Sequence, residues 1–272
     1  MSLTPSDLAA YLARIGYDGP RDASLTALSG IVAAHATTIP FESLDVLLDR
    51  PPRLDAASLV DKLVRRRRGG YCFEHNTLLW QALDALGFDA HGLGGRVVWN
   101  RPAELPTGPR THMLLRVALP EGDFLADVGF GGLTLTSPLR LAVGPEQATT
   151  HEPHRLVEAG DEIELQVRLG TEWTRLYHFS LQPQVAVDYE VANWYTATYP
   201  DSIFRHNLMG ARPTPDRRYA LLNRNFTVRY RDGRTERREL VDADDFGRVL
   251  RHDFHVELPP EDVQLVWQRL GS

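Results

Sequence analysis

The chain has 272 residues, 43% of them hydrophobic and 24% charged, and its 36 acidic against 30 basic side chains leave a formal charge of −6. These values fit a soluble globular protein with room for two or three small domains around a cleft; they argue against the broad basic surface of nucleic-acid binders, and no run approaches the ~18 apolar residues of a membrane span. The single cysteine permits no intrachain disulfide and cannot alone build a thiolate-rich zinc site, so the cytoplasm is the expected compartment.

Residues 1–90 read as helical. Asp7 precedes any basic residue and no long apolar block follows, which is unlike a secretory signal. Thr4 or Ser6 can cap a helix carrying Leu8, Tyr11, Leu12 and Ile15, with Gly16 as its stop. Leu25, Leu28, Ile31 and Val32 repeat the pattern before Pro40. Asp55 or Ser58 opens a third helix with Leu59, Leu63 and Val64, expected to end at Gly69-Gly70. The run Arg65 to Arg68 is either a solvated helix end or an anion-binding cluster. A fourth helix starts at Cys72, with Leu78, Leu79, Ala82, Leu83 and Leu86 on one face and Gly87 as its stop.

From 91 to 200 the apolar period changes to two, the mark of half-buried strands. Met113–Val117, Phe124–Val128 and Glu162–Leu169 are the expected strands, with a hairpin turn at 120–123. Gly92-Leu93-Gly94-Gly95 lacks the spacing of a nucleotide loop and reads as an ordinary turn. The segment Tyr199–Arg218, with three prolines, reads as a linker or an interdomain segment. Phe226–Tyr230 leads into an Asp232-Gly233 hairpin, and Glu261–Leu270 forms a final helix.

Chemistry concentrates at Cys72. A residue that follows a glycine turn and opens a helix sits among unpaired N–H groups at the positive end of the dipole, where a thiolate is favoured and the Cys72 N–H can join an oxyanion hole. His112 and Asp127, on neighbouring strands, supply a base and its orienting carboxylate. A turn centred between Glu121 and Gly122 would set Asp127 opposite Arg116, four residues from His112 and too far to bond, so the spacing implies an asymmetric or bulged turn.

Four blocks resemble the arylamine N-acetyltransferase family, bacterial type: Ile39–Asp45, Arg68–Asn76, Thr111–Met113 and Asp127–Gly131; a fifth runs from Asn193-Trp194-Tyr195 to Phe204. Ser43 stands where that family usually has Asn. The resemblance implies a multi-domain α+β protein: an N-terminal helical bundle (1–90), a central β-barrel (91–200) and a C-terminal α/β lid (201–272), with a papain-like, cysteine-proteinase-like catalytic core. It implies a Cys72–His112–Asp127 triad that moves acetyl from acetyl-CoA to arylamines or arylhydrazines by a ping-pong route, with a role in xenobiotic metabolism. By position, Phe41, Tyr71, Val97, Trp99, Thr111, Phe130, Gly131 and Phe204 would line the pocket, and Phe41, Phe130 and Phe204 would hold the aromatic acceptor. The expected partners are an aromatic amine and coenzyme A, with no metal, nucleic acid or membrane. The family fold also brings Glu42 within pairing distance of Arg68.

Rival readings remain open at this point. Cys72-Phe73-Glu74-His75 with His112 has the ligand types of a zinc site but no second cysteine pair. His75 reads as a helix residue bonded locally, and His35 as a buried, satisfied histidine. The same triad would serve a related amide synthase taking a longer acyl chain from a carrier protein, and a non-catalytic binding module could keep the fold.

Overall fold

The computed structural model describes residues 2–102, 104–105 and 108–271; Met1 and Ser272, the outer ends of the expected divisions, lie outside them. Helix α1 (Pro5–Ile15) starts where Thr4 Oγ1 accepts the Asp7 N–H at 3.2 Å and stops at Gly16, whose φ of 68° lets the chain leave the helix. Ser24 caps α2 (Leu25–Thr38) in the same way. A two-residue strand, β1 (Phe41–Glu42), and a short helix, α3 (Leu44–Leu47), follow. Asp55 caps α4 (Ala56–Leu59), which continues as a π-helical segment, Val60–Arg65. That helix ends short of the expected Gly69-Gly70. The chain instead reverses through Arg67 (φ 52°), and Gly69 packs so closely that a Cβ there would stand 2.0 Å from the Pro40 carbonyl oxygen. Helix α5 (Cys72–Ala85) then begins at the cysteine.

Seven antiparallel strands follow: β2 (Asp89–Val97), β3 (His112–Leu119), β4 (Gly122–Ala126), β5 (Leu139–Arg140), β6 (His154–Ala159), β7 (Glu162–Leu169) and β8 (Glu172–Phe179). Their order is β5-β4-β3-β2-β8-β7-β6. Bridges Val143–Leu156 and Gln147–His154 lay the segment after β5 against β6, so the two edges meet in a nearly closed, barrel-like sheet. Leu93, Leu114, Leu125, Leu156, Leu165, Tyr177 and Phe179 belong to one buried cluster in this sheet.

Residues 92–95 are not the expected turn but the middle of β2. Gly92 is there for clearance, since a Cβ on it would come 2.2 Å from the Tyr189 hydroxyl. Tyr189 belongs to α6 (Ala186–Thr198), a helix its valines conceal from propensity arguments.

The segment 199–218, expected as a linker or an interdomain segment, is structured, holding α7 (Ile203–His206), β9 (Met209–Pro213) and the start of β10 (Arg217–Leu222). Its prolines at 200, 213 and 215 fall at element ends or between elements, where no ladder bond is lost. With β11 (Asn225–Tyr230) and β12 (Thr235–Glu239) these strands form a second sheet, ordered β1-β9-β10-β11-β12. Helices α8 (Ala243–His252) and α9 (Pro260–Arg269) share an apolar cluster with it through Phe246, Val249 and Val266 against Leu221, Phe226 and Val228. Among the described residues no helix is long and apolar enough to cross a membrane.

Candidate active site

Cys72 is the first residue of α5, and the turn before it is braced by buried charge. Glu74 Oε2 accepts the Tyr71 N–H at 3.0 Å, while Glu74 Oε1 meets Lys62 Nζ at 2.7 Å. Lys62 also meets Asp45 at 2.6 Å, Asp45 meets Arg68 at 2.9 Å, and Arg68 places Nε and Nη2 on Glu42 Oε1 at 2.9 and 2.7 Å. Glu42 Oε2 accepts the Leu44 N–H at 2.8 Å. The expected Glu42–Arg68 pair is thus one link of a five-residue network. Burial outweighs Lys62 at Glu74 and pushes its carboxyl up to about 7.

The arginine run divides accordingly. Arg65 and Arg66 form surface pairs with Asp7 and Asp61, whereas Arg68 turns inward. Glu42→Gln leaves a 7% exposed guanidinium with Asp45 as its remaining carboxylate. We expect a loss of about 3 kcal/mol, the lower end for a broken buried pair, readable by urea denaturation, with activity falling alongside. Unchanged stability would remove the bracing role.

His112 is the first residue of β3. The β3–β4 ladder runs Arg116↔Leu125 and Leu119↔Gly122, so the turn is centred between Pro120 and Glu121, one residue earlier than the symmetric turn expected, and the ladder carries no bulge. This shift halves the offset. Extending the register would place Asp127 across from Leu114, two residues from His112 on the same face, a diagonal of about 7–8 Å that a long side chain spans. His112 Nε2 accordingly donates to Asp127 Oδ2 at 2.7 Å.

Asp127 is fully buried and its carboxylate accepts four hydrogen bonds. Oδ2 takes His112 and the Tyr177 hydroxyl at 3.0 Å; Oδ1 takes Asn76 Nδ2 and the Gly129 N–H, both at 2.9 Å. Burial works against its charge, but His112 and these donors prevail and hold it below the ordinary carboxylate range. Burial likewise works against a charged imidazole; the Asp127 carboxylate and its hydrogen bond, with a hydrogen bond to Cys72, override this and raise His112 to about 10. With Nε2 committed to Asp127, Nδ1 is left for exchange with Cys72. Cys72 is 4% exposed, and its sulfur lies 3.5 Å from the Thr111 carbonyl oxygen.

Two glycine positions bring the parts together. A Cβ on Gly129 would lie 2.8 Å from Cys72 Cα, so only glycine lets the Asp127 loop rest on the start of α5. Gly131 (φ 80°) lies under the Phe41 ring, 3.6 Å from where its Cβ would be.

Of the residues expected to line a pocket, Phe41, Tyr71, Gly131 and Phe204 come together: the Phe204 ring lies 6.3 Å from Phe41 and 5.7 Å, edge-on, from Tyr71. Phe130 stands edge-on to His112 at 5.3 Å. Thr111 joins through its carbonyl. Val97 pairs with Tyr177 across the sheet, and the Trp99 N–H bonds to the Leu176 carbonyl, so both connect to the site through β8. Beside His112 a cavity of ≈ 60 Å³ is bordered by Phe73, Gly94, Arg110 and Tyr189.

His75 is not bonded locally. Its Nε2 reaches the Pro40 carbonyl at 3.1 Å and its Nδ1 reaches His35 Nε2 at 2.9 Å, while His35 Nδ1 meets the Tyr11 hydroxyl at 2.8 Å. Burial pushes His75 down to about 4, so this chain of rings is neutral, and both His75 nitrogens are turned away from a shared site with His112. Sequence reasoning gave no role to Asn76 or Tyr177. Asn76 Oδ1 also accepts the Val128 N–H at 3.1 Å. The one available signal was position: Asn76 is one helical turn after Cys72, on the same face.

A family model described as N-acetyltransferase matches residues 24–263. The arylamine N-acetyltransferase of Mycolicibacterium smegmatis is 50% identical over 233 residues, covering 85% of this chain and 84% of its own. A Salmonella typhimurium relative, an arylamine N-acetyltransferase / N-hydroxyarylamine O-acetyltransferase, is 41% identical over 250 residues, covering 92% and 88%. The structure of Mycobacterium marinum arylamine N-acetyltransferase in complex with CoA superposes with a TM-score of 0.93 at 41% identity, over 97% of this chain and 99% of that one.

Proposed function

This chain belongs to the arylamine N-acetyltransferase family, and from that premise we propose that it carries acetyl from acetyl-CoA to the nitrogen of arylamines or arylhydrazines through an acetyl-Cys72 intermediate. The observation that carries the reading is the buried His112–Asp127 bond of 2.7 Å beside a cysteine at a helix start. A relative's complex with CoA supports the donor. In this reading the helical part, 1–90, brings the nucleophile, the β part, 91–200, brings His112 and Asp127, and the remainder, 201–272, acts as a lid. The arrangement is papain-like.

His112 takes the Cys72 proton, and Asp127 stabilises the imidazolium. The thiolate adds to the thioester carbonyl, forming a C–S bond, with the Cys72 N–H at the start of α5 as an oxyanion donor. Collapse expels coenzyme A, whose sulfur leaves with the proton from His112. One thioester replaces another, so this half-reaction is nearly isoenergetic. An arylamine then attacks acetyl-Cys72, His112 accepts its proton, and the Cys72 sulfur leaves. Arylamines suit this step because their nitrogen is unprotonated at neutral pH, unlike an alkylammonium with a pKa of about 10.4. Phe41, Phe204 and Phe130 offer ring faces and edges to the acceptor.

Intact-mass measurement tests this. Mixing the protein with acetyl-CoA is expected to add one acetyl group, which an arylamine then removes. A protein that gains no mass overturns the proposal, and one that loads only longer acyl groups from a carrier-protein thioester points to an amide synthase.

A further inference from the structure

The loop from Asp127 to Thr136 has a second set of buried contacts that the chemistry above leaves unused. Thr134 Oγ1 accepts the Phe130 N–H at 3.3 Å and donates to the Asp127 carbonyl at 3.3 Å, while the Thr134 N–H donates to the Gly131 carbonyl at 3.1 Å. One threonine therefore fastens the turn that holds both Asp127 and Phe130. It is held in turn from the other sheet. Arg218 of β10, 2% exposed, donates Nη1 to the Thr134 carbonyl at 3.2 Å and sets Nε and Nη2 on Glu152 Oε2 at 2.9 and 2.7 Å.

The surroundings make Arg218 the working cation. His151 is tied to the Thr214 carbonyl at 2.8 Å and lies 3.3 Å from Thr136 Oγ1. His154 is fully buried with neither ring nitrogen hydrogen-bonded; burial first and the Arg218 charge second push it down to about 4, so it stays neutral. A buried ion pair is a weak source of stability, since apolar side chains of like volume often serve as well. An apolar pair cannot donate to the Thr134 carbonyl.

We propose that Arg218, anchored by Glu152, is a positioning residue for acetyl transfer: from the C-terminal sheet it fixes Thr134 and, through it, the Asp127 backbone and the Phe130 ring against His112. This rests on the acetyl-transfer reading and concerns the rate of acetyl-Cys72 formation, not the binding of acetyl-CoA.

The test compares Arg218→Met, Arg218→Lys and the double variant Arg218→Met/Glu152→Leu. In the double variant, which removes the buried guanidinium together with its half-buried carboxylate partner, the melting temperature returns to near the wild-type value. The rate constant for acetyl-Cys72 formation is expected to stay about ten- to a hundredfold low, as for a displacement of about 1 Å, with the half-saturating acetyl-CoA concentration within about twofold. Arg218→Lys, which keeps one donor, recovers part of the rate. A double variant that melts and acetylates like the wild type overturns the proposal, as does a rate that recovers in step with melting temperature. If that variant does not fold, Thr134→Val replaces it, and wild-type acetylation by Thr134→Val is equally fatal. Alkylation of Cys72 by iodoacetamide needs no acetyl donor; its slowing in the variants reads Arg218 even if the wild type takes up no acetyl.

Discussion

Cys72→Ser is expected to gain no acetyl mass from acetyl-CoA and to lose arylamine acetylation by about 10⁴-fold or more, the scale seen when the nucleophile of a catalytic triad is removed. Serine offers His112 a far weaker acid than a thiol, so the ion pair proposed to make the sulfur reactive has no counterpart. The fold should hardly notice. Beside its interaction with His112, Cys72 Sγ has a weak contact to the Thr111 carbonyl, and a small residue fits the same space. A variant that melts like the wild type yet transfers acetyl would place the nucleophile elsewhere.

Asp127→Asn has the second large effect, for a reason visible in the donor count. All four groups around the Asp127 carboxylate donate to it: His112, Tyr177, Asn76 and the Gly129 N–H. An amide accepts on one side only, so its NH2 group faces two donors whichever way it lies. If it faces His112, the imidazole must turn its lone pair to Nε2 and carry its proton on Nδ1, where it can no longer accept from Cys72. We expect a loss of about 10⁴-fold in turnover, measured with a saturating arylamine.

The pH dependence of stability should also change sign. In the wild type His112 is raised from about 6.5 to about 10, so its contribution is full below about pH 6.5 and is lost as pH rises toward 10. Asp127, held low, contributes above about pH 4 and loses that contribution in acid. Without the carboxylate, burial, the largest influence on His112, is opposed only by Cys72 and favours the neutral form. The variant therefore loses stability as pH falls through about 6.5, where the unfolded imidazole charges. Urea midpoints at pH 5 and 8 distinguish the two patterns.

The helices of the first third were legible because their signals are local. Thr4, Ser24 and Asp55 cap helices with their own side chains, and apolar residues recur on one face. What failed was set by distant contacts. Gly92 to Gly95 read as a turn because glycine usually marks one, but here a helix nearly a hundred residues later requires the bare backbone at Gly92. Helix α6 was hidden by Val185, Val187 and Val191, and it stands because Tyr189 and Asn193 dock: the Tyr189 hydroxyl donates to the Leu93 carbonyl at 3.2 Å, and the Tyr71 hydroxyl donates to the Asn193 side-chain oxygen. The His112–Asp127 register turned on one residue of hairpin centre, which alternation cannot fix because both alternatives keep the same faces. The place of Cys72 at a helix start was legible; the contacts of Asn76 and Tyr177 were not, because they run to a carboxylate on another element.

The pairing of β1 with β9 has a consequence for how the protein is made. Phe41 and Glu42 lie opposite Ala211 and Gly210, a separation of some 170 residues, so the wall that carries Phe41 cannot be completed until the strand at 209–213 has left the ribosome. Before then the early helices can assemble around Cys72, but Phe41 lacks both its strand partner and the Phe204 ring. Site completion is thereby deferred until more than three-quarters of the chain has been synthesised.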